Sequence, residues 1–210
     1  MKRIGVDESG KGDYFGYLVV AGVILDDSKD SSLRELGVKD SKKISDVQIP
    51  KIAAKIKKTC KYNIVAISPE KYNQLYKKIG NLNKLLAWGH ARVIENLLEK
   101  EQVDEVIVDK FADEKYLKSA LLEKGKKVKL IQIIRGESDT AVAAASILAR
   151  AEFLRTLRSL SLQIGYKLPK GATHVENAAK EILEKHNEGI LSEIAKLHFK
   201  TTKKILGGRK

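Results

Sequence analysis

The chain has 210 residues, which is enough for one substantial domain with its own hydrophobic core. Lysine and arginine outnumber aspartate and glutamate by 40 to 27, and the net charge of +13 favours a polyanionic partner. The single cysteine, Cys60, excludes an intrachain disulfide, and no apolar run reaches the roughly 18–20 residues that span a bilayer. We therefore expect a cytoplasmic, monomeric protein without a membrane segment.

The first elements are predicted to form a hairpin. Residues 4–6 form a short apolar strand that ends at Asp7, and residues 18–25 form a nearly all-apolar strand of the kind that is covered on both faces. The glycine-rich connection between them predicts a hairpin with a functional loop. Because the first strand begins within three residues of the N-terminus, it leaves no room for a signal peptide. Residues 26–43 are polar and are predicted to be irregular.

The remaining chain alternates predicted strands with predicted helices. Strands are expected at residues 62–68, 103–108 and 128–134. Helices are expected at residues 45–58, 69–80, 83–100, 112–124 and 177–196, with a helix of small residues starting near Thr140. This order predicts a mixed sheet covered by helices in one layered domain, residues 1–210, with a basic tail at about 200–210.

Acidic residues follow three of the predicted strands. Asp7 and Glu8 close the first strand, Asp109 closes the fourth, and Glu137 and Asp139 follow the fifth. Ligand sites of open α/β sheets form at the carboxyl ends of the strands, so Asp7 and Asp109 would lie side by side if their strands are neighbours. Glu8 would point elsewhere in a regular strand, unless the turn that follows brings it back.

A cluster of carboxylates repels itself unless cations are bound, and oxygen ligands suit Mg²⁺ or Mn²⁺. Two such ions about 4 Å apart can activate a water and stabilise the leaving oxygen in phosphodiester hydrolysis. Acidic residues at strand ends are also common as turn formers and helix caps. Because both Asp7 and Asp109 follow strongly apolar strands, the pattern favours a metal site.

Two segments have the composition of phosphate-binding sites. In Gly10-Lys11-Gly12, the glycines would let backbone N–H groups approach a phosphate, with Lys11 as the counter-charge. The spacing of these glycines is not that of a Walker loop. The alternative to a phosphate-binding turn is a flexible surface turn. The segment 40–43 carries Ser41, Lys42 and Lys43, which either contact a phosphate backbone or form plain surface.

The stretch from Asp7 to Gly16 resembles the signature of type 2 ribonucleases H. Lys11 in the middle of its glycine turn resembles the ribonuclease HIII branch, whereas the ribonuclease HII branch usually has arginine there. The resemblance continues in order over nearly the whole chain, through residues 40–43, 83–88 with His90, 109–111, 143–147, 168–172 and 197–200.

This resemblance implies an α/β, ribonuclease H-like fold, with a mixed five-stranded sheet flanked by helices and a C-terminal helical region. It implies endonucleolytic cleavage of the RNA strand of RNA–DNA hybrids, with two Mg²⁺ or Mn²⁺ ions and products that carry 5′-phosphate and 3′-hydroxyl ends. The duplex would be contacted by Gly10, Lys11, Gly12, Ser41, Lys42, Lys43 and Lys170.

The resemblance also assigns catalytic residues. Asp7, Glu8 and Asp109 match the metal-binding carboxylates. The family has a fourth carboxylate shortly before the alanine-rich helix. Glu137 fits it through its Gly-Glu-Ser context, although its spacing is one residue short, and Asp139 is the competing candidate.

Two departures from the family pattern bear on the substrate. Bacterial ribonuclease HIII usually carries an N-terminal extension that helps to bind substrate, and we expect it to be absent here. Ribonuclease HII usually has a tyrosine after a Lys-Gly pair, which senses the RNA–DNA junction; here Ala172 follows Lys170-Gly171, with Tyr166 nearby. The alternatives are ribonuclease HII-type incision at single ribonucleotides in duplex DNA and, more remotely, a non-catalytic hybrid-binding protein.

Overall fold

Five strands form one mixed sheet in the computed structural model, which describes residues 1–207. They are β1 (Lys2–Ser9), β2 (Leu18–Asp26), β3 (Tyr62–Ile67), β4 (Glu105–Asp109) and β5 (Lys129–Ile133). In the order β3-β2-β1-β4-β5, the first three strands are antiparallel neighbours, and β4 and β5 continue parallel to β1. The predicted mixed five-stranded sheet and its opening hairpin are confirmed.

Helices cover both faces of this sheet. They are α1 (Asp30–Glu35), α2 (Ile49–Thr59), α3 (Pro69–Ile79), α4 (Leu82–Leu98), α5 (Glu114–Ala120), α6 (Thr140–Gln163), α7 (Glu176–Lys185), α8 (Ile190–Ile194) and α9 (Lys200–Gly207). Short 3-10 turns lie at Asp27–Lys29, Ser41–Lys43 and Gly136–Ser138. Among the helices of residues 1–207, none combines the length and apolarity needed to cross a membrane.

Local capping explains why α3 and α4 begin and end near their predicted positions. The Ser68 side chain accepts a hydrogen bond from the Lys71 amide, and Pro69 follows at the first helical position. Gly80 ends α3 in the left-handed conformation, with φ of 66°. Asn81 then caps α4 by accepting a hydrogen bond from the backbone of that helix.

Three predicted segments differ from the structure. Residues 26–43 are not irregular, because they contain α1. Arg3 forms ion pairs with Asp30 of α1 and with Asp27 in the 3-10 turn before it. The predicted helix 177–196 is divided into α7 and α8 by residues 186–189, and the helix expected at 112–124 shortens to α5.

Most of the segment predicted as a basic tail is helical. Residues 200–207 form α9, in which Thr202 and Ile205 are buried. Thr202 shares a hydrogen bond with the buried Tyr14 hydroxyl over 3.1 Å, so α9 packs on the loop between β1 and β2. The last part of the predicted tail, 208–210, lies outside the described residues.

A close backbone contact joins β1 to α6. A Cβ atom on Gly5 would lie only 2.2 Å from the carbonyl carbon of Ala141, so glycine alone allows this approach. The alanines that follow in α6 are buried against the same face of the sheet. The start of α6 is thereby held next to β1, while α4 covers the opposite face.

Candidate active site

A cavity of about 470 Å³ lies where β1 and β4 end. It brings together most of the residues that the sequence singled out: Asp7, Glu8, Gly10, Lys11, Gly12, Ser41, Lys42, Asp109 and Glu137. Two predicted contact residues lie in neighbouring depressions. Lys43 lines one of these together with Glu137, and Lys170 lines another, where its ammonium pairs with Asp46.

The parallel pairing of β1 with β4 brings Asp7 next to Asp109. Val6 is the register partner of Val108, so the aspartates occupy equivalent positions one residue further along each strand. This confirms the placement expected from the strand ends. Burial, together with the nearby charge of Glu8, raises the pKa of Asp7 to about 7, and Asp109 acts in the same direction.

Glu8 takes the other face of the sheet, because β1 stays regular through Ser9. Its Oε2 atom lies 3.0 Å from His90 Nε2 on α4, and its Oε1 atom accepts a hydrogen bond from Lys11 Nζ at 2.6 Å. Burial opposes its ionisation, but the bonds from His90 and Lys11 prevail and lower the pKa of Glu8. His90 is fully buried and packs on the Phe111 ring.

The turn after β1 therefore does not return Glu8 to the side of Asp7. Asp7 points instead towards α6, where it accepts a hydrogen bond from Ser146. Within residues 1–207, no three acidic, histidine or cysteine side chains converge as a ready-made ion cage. Glu8 lines the same cavity as Asp7, and its carboxylate is bound by His90 and Lys11.

The two candidates for the fourth carboxylate have different surroundings. Glu137 lies in a 3-10 turn and lines the cavity beside Asp109, whose Oδ1 atom accepts a hydrogen bond from the Gly136 amide at 2.8 Å. Asp139 caps α6, accepting hydrogen bonds from two amides of its first turn. The other oxygen of Asp139 accepts from Arg3 Nε at 2.7 Å. Both oxygens of Asp139 are thus engaged in the fold, whereas Glu137 faces the cavity.

The glycine-lysine-glycine turn has the backbone that its composition predicts. Gly10 has φ of 85°, and a Cβ atom there would lie 2.1 Å from the Tyr17 carbonyl oxygen. The turn closes through a hydrogen bond from the Asp13 amide to the Gly10 carbonyl. A Cβ on Gly12 would meet nothing within 4 Å, so this side of the turn is open to a ligand.

Sequence reasoning missed Ser146 and Arg150, which link the carboxylates to the Ser41 segment. Ser146 shares a hydrogen bond with Ser41 over 2.8 Å, and the Arg150 guanidinium donates to the Ser41 carbonyl oxygen and to Asp46. Ser41 is therefore buried and positions its segment. The two α6 residues are four positions apart, a spacing that places them on one face of a helix.

The contact of His90 with Glu8 was not predicted from the sequence. A polar ring in an otherwise apolar helical stretch was the available signal. Because Glu8 is 82 positions away in sequence, the pattern alone could not identify the partner.

A family model described as Ribonuclease HII matches residues 4–202 of the chain. The chain belongs to the ribonuclease HII family. Among curated relatives, ribonuclease HIII of Protochlamydia amoebophila (strain UWE25) is 52% identical over 206 residues, which cover 98% of this chain and 68% of the relative. Ribonuclease HIII of Chlamydia muridarum (strain MoPn / Nigg) is 46% identical, covering 98% and 69%.

Solved structures of the family agree with this assignment. Bst-RNase HIII in complex with Mn²⁺ is 33% identical, with a TM-score of 0.91 over 100% of this chain and 70% of that one. RNase H3 of Aquifex aeolicus is also 33% identical, with a TM-score of 0.76 over 92% and 71%. Ribonuclease H2 of Pyrococcus horikoshii OT3, at 23% identity and a TM-score of 0.84, shares the fold over 99% and 98%. The resemblance read from the sequence and the ribonuclease H-like fold are both confirmed.

Proposed function

We propose that the cavity at the ends of β1 and β4 is the site at which this ribonuclease H hydrolyses the RNA strand of RNA–DNA hybrids, leaving 5′-phosphate and 3′-hydroxyl ends. The observation that carries the proposal is the shared cavity of Asp7, Asp109 and Glu137 with the Gly10–Gly12 turn. Carboxylates and a phosphate-sized backbone turn meet there, as phosphodiester hydrolysis requires.

The donor set fits divalent cations. Its members are carboxylate oxygens, which Mg²⁺ and Mn²⁺ prefer. The pKa of Asp7 is raised by burial first and by the nearby charge of Glu8 second, and a bound cation would offset both. The related Bst-RNase HIII was solved with Mn²⁺. We propose that two ions would be held here by Asp7, Glu8, Asp109 and Glu137. The chemistry that these ions supply is activation of the attacking water and stabilisation of the leaving oxygen.

The chain's own groups bind and orient the duplex. The Gly10–Gly12 turn lines the cavity, and its backbone amides would donate to a phosphate or a 2′-hydroxyl, which is the group that distinguishes RNA from DNA. Lys11 is the cation of the turn, and a phosphate placed there would compete with Glu8 for its ammonium. Lys42 and Lys43 would contact phosphates further along the backbone, and Lys170 would do so beyond Asp46.

The surroundings of Lys170-Gly171 support preference for a continuous hybrid. The Gly171 amide donates to Asp13 Oδ1 at 2.6 Å, which ties this pair to the substrate turn. Ala172 follows it, and the nearby Tyr166 directs its hydroxyl to Glu181, 2.9 Å away. Ala172 has no hydroxyl, and the hydroxyl of Tyr166 is hydrogen-bonded to Glu181. Neither residue therefore supplies a free tyrosine hydroxyl for recognising an RNA–DNA junction.

Two labelled duplexes, each assayed with Mg²⁺ and with Mn²⁺, test the proposed function. One is a continuous RNA–DNA hybrid, and the other is duplex DNA with a single embedded ribonucleotide. We expect cleavage of the hybrid and little cleavage of the other duplex. Efficient incision at the single ribonucleotide would assign the ribonuclease HII activity instead. Tight binding without cleavage of either would contradict a catalytic role.

Hybrid binding is expected to weaken steeply with salt, because each phosphate contact releases counterions. Replacing both Lys42 and Lys43 by methionine should reduce the slope of log K against log[salt] by about two, near one for each lost contact. Fluorescence anisotropy of a labelled hybrid at several salt concentrations measures this slope. Lys118→Met on α5, remote from the cavity lining, is the matched control; an unchanged slope in the double variant would remove these lysines from the interface.

We propose further that the enzyme acts in the cytoplasm as a monomer with one catalytic domain. The net charge of +13 supports the monomeric state, since like charge disfavours self-association.

A further inference from the structure

Lys196 is fully buried in the short connection between α8 and α9. Its ammonium donates hydrogen bonds to two main-chain carbonyl oxygens, that of Asp13 at 2.8 Å and that of Gly16 at 2.7 Å. The third side of the ammonium faces the Tyr72 ring, 5.8 Å from its centroid. Burial lowers the pKa of Lys196 to about 7, which reflects the cost of removing this group from water.

The backbone around Lys196 pairs with residues 14–16, at the end of the loop between β1 and β2. The Gly16 amide donates to the Ile194 carbonyl and the Lys196 amide donates to the Tyr14 carbonyl, each at 2.9 Å. Phe15 and Ala195 form an antiparallel bridge between these bonds. The side chain of Lys196 binds the carbonyls of Asp13 and Gly16, which lie before and after Phe15 in the loop.

The partner segment of the loop is itself held firmly. Asn73 of α3 donates to the Ala195 carbonyl at 2.9 Å and accepts from the Leu197 amide at 2.9 Å. Lys196 therefore projects from a segment that is fixed to a helix, and it can impose a position on the loop.

This contact reaches the glycine-lysine-glycine turn through Asp13. The Asp13 amide closes the turn on the Gly10 carbonyl, and the Asp13 carbonyl is the atom that Lys196 binds. Glycines lose more backbone freedom on ordering than other residues, so ordering a turn with two glycines is entropically costly. A turn already ordered before the duplex arrives avoids that cost at binding.

We propose that Lys196 is a positioning residue that holds the Gly10–Gly12 turn in its phosphate-binding form and thereby sets the affinity for the hybrid. The inference rests on the proposed function of that turn. It assigns Lys196 no contact with substrate and no part in the chemical step, so its removal should act on KM rather than on kcat.

Lys196→Met tests the proposal, because methionine retains most of the buried aliphatic length and lacks the ammonium. We expect KM for the continuous hybrid to rise about tenfold to a hundredfold, as expected for the loss of two buried hydrogen bonds, while kcat stays within about threefold. Lys203→Met, at an exposed position of α9, is the matched control and should leave both constants unchanged. An unchanged KM in Lys196→Met, or an equal loss in kcat, would overturn the proposal.

A double-mutant cycle separates positioning from general destabilisation. If Lys196 acts through the turn, its replacement should matter less once Lys11 is methionine, so the rise in KM should be at least about threefold smaller in the Lys11→Met background. Fully additive effects would show that Lys196 acts on the fold as a whole. Asn73→Ala, which loosens the segment that carries Lys196, should raise KM in the same direction; if Lys196→Met does not fold, an unchanged KM in Asn73→Ala overturns the proposal.

Binding measured without turnover separates this inference from the proposed function. Hybrid affinity is compared between Asp7→Asn and the double variant Asp7→Asn, Lys196→Met by anisotropy. Weaker binding in the double variant supports the role of Lys196, and equal binding overturns it. Wild-type protein that binds the hybrid without cutting it would contradict the proposed function while leaving this comparison valid.

Discussion

Asp7→Asn is expected to abolish hybrid cleavage while making the metal-free protein more stable. Turnover should fall by about a thousandfold or more, because a carboxylate that would hold the proposed ions is lost. The pKa of Asp7 is raised to about 7 from an ordinary value of 3.8, so the folded state holds the proton more tightly than the unfolded state does. Wild-type stability therefore falls as the pH rises from about 4 to about 7, and the full penalty applies above pH 7.

Asparagine carries no such penalty, so the variant should melt above the wild type at pH 8 and close to it at pH 4. Thermal melts in a chelator at both pH values, together with single-turnover cleavage in Mn²⁺, measure the two effects. Added Mn²⁺ should stabilise the wild type and have little effect on the variant. Glu123→Gln, at an exposed carboxylate outside the cavity, should change neither property. Wild-type cleavage by Asp7→Asn would refute the assignment of the site.

Glu137→Gln and Asp139→Ala are expected to separate catalysis from stability. Glu137 lines the cavity in a surface turn, so its replacement should lower kcat by about a hundredfold or more and leave the melting temperature nearly unchanged. Asp139 caps α6 and pairs with the buried Arg3, so its loss should cost on the order of 2–3 kcal/mol of folding free energy and leave kcat within a few-fold.

Each variant is the control for the other, since the two carboxylates are two positions apart in sequence. Chemical denaturation and cleavage of the continuous hybrid are measured on both proteins. Loss of cleavage in a folded Asp139→Ala variant, with full activity in Glu137→Gln, would reverse the assignment.

The strand ends made Asp7 and Asp109 predictable. Both follow apolar strands, and the register of β1 with β4 follows once these strands are neighbours in a parallel pair. The turn at Gly10 was likewise readable, because a glycine's freedom at positive φ has few other uses at the end of a strand. Local sequence carries such features because their causes are local.

Features decided by distant partners could not be predicted. Glu8 is oriented by His90, 82 positions away, and Asp139 is drawn into the fold by Arg3, 136 positions away. The short helices α1 and α9 are also held by partners distant in sequence: Arg3 pairs with Asp30 of α1, and Tyr14 shares a hydrogen bond with Thr202 of α9. Hydrophobic periodicity contains no information about such pairs.

The order in which the chain is synthesised determines when the phosphate-binding turn can become ordered. The Gly10–Gly12 turn is synthesised before Lys196, which binds the Asp13 carbonyl and lies 183 positions after it. At about 5–20 residues per second, that interval lasts on the order of ten to forty seconds. A nascent chain of this enzyme would thus contain Asp7 and Glu8 long before Lys196 can hold the phosphate-binding turn in place. The ordered form of the phosphate-binding turn is therefore expected only after the segment that carries Lys196 has been made.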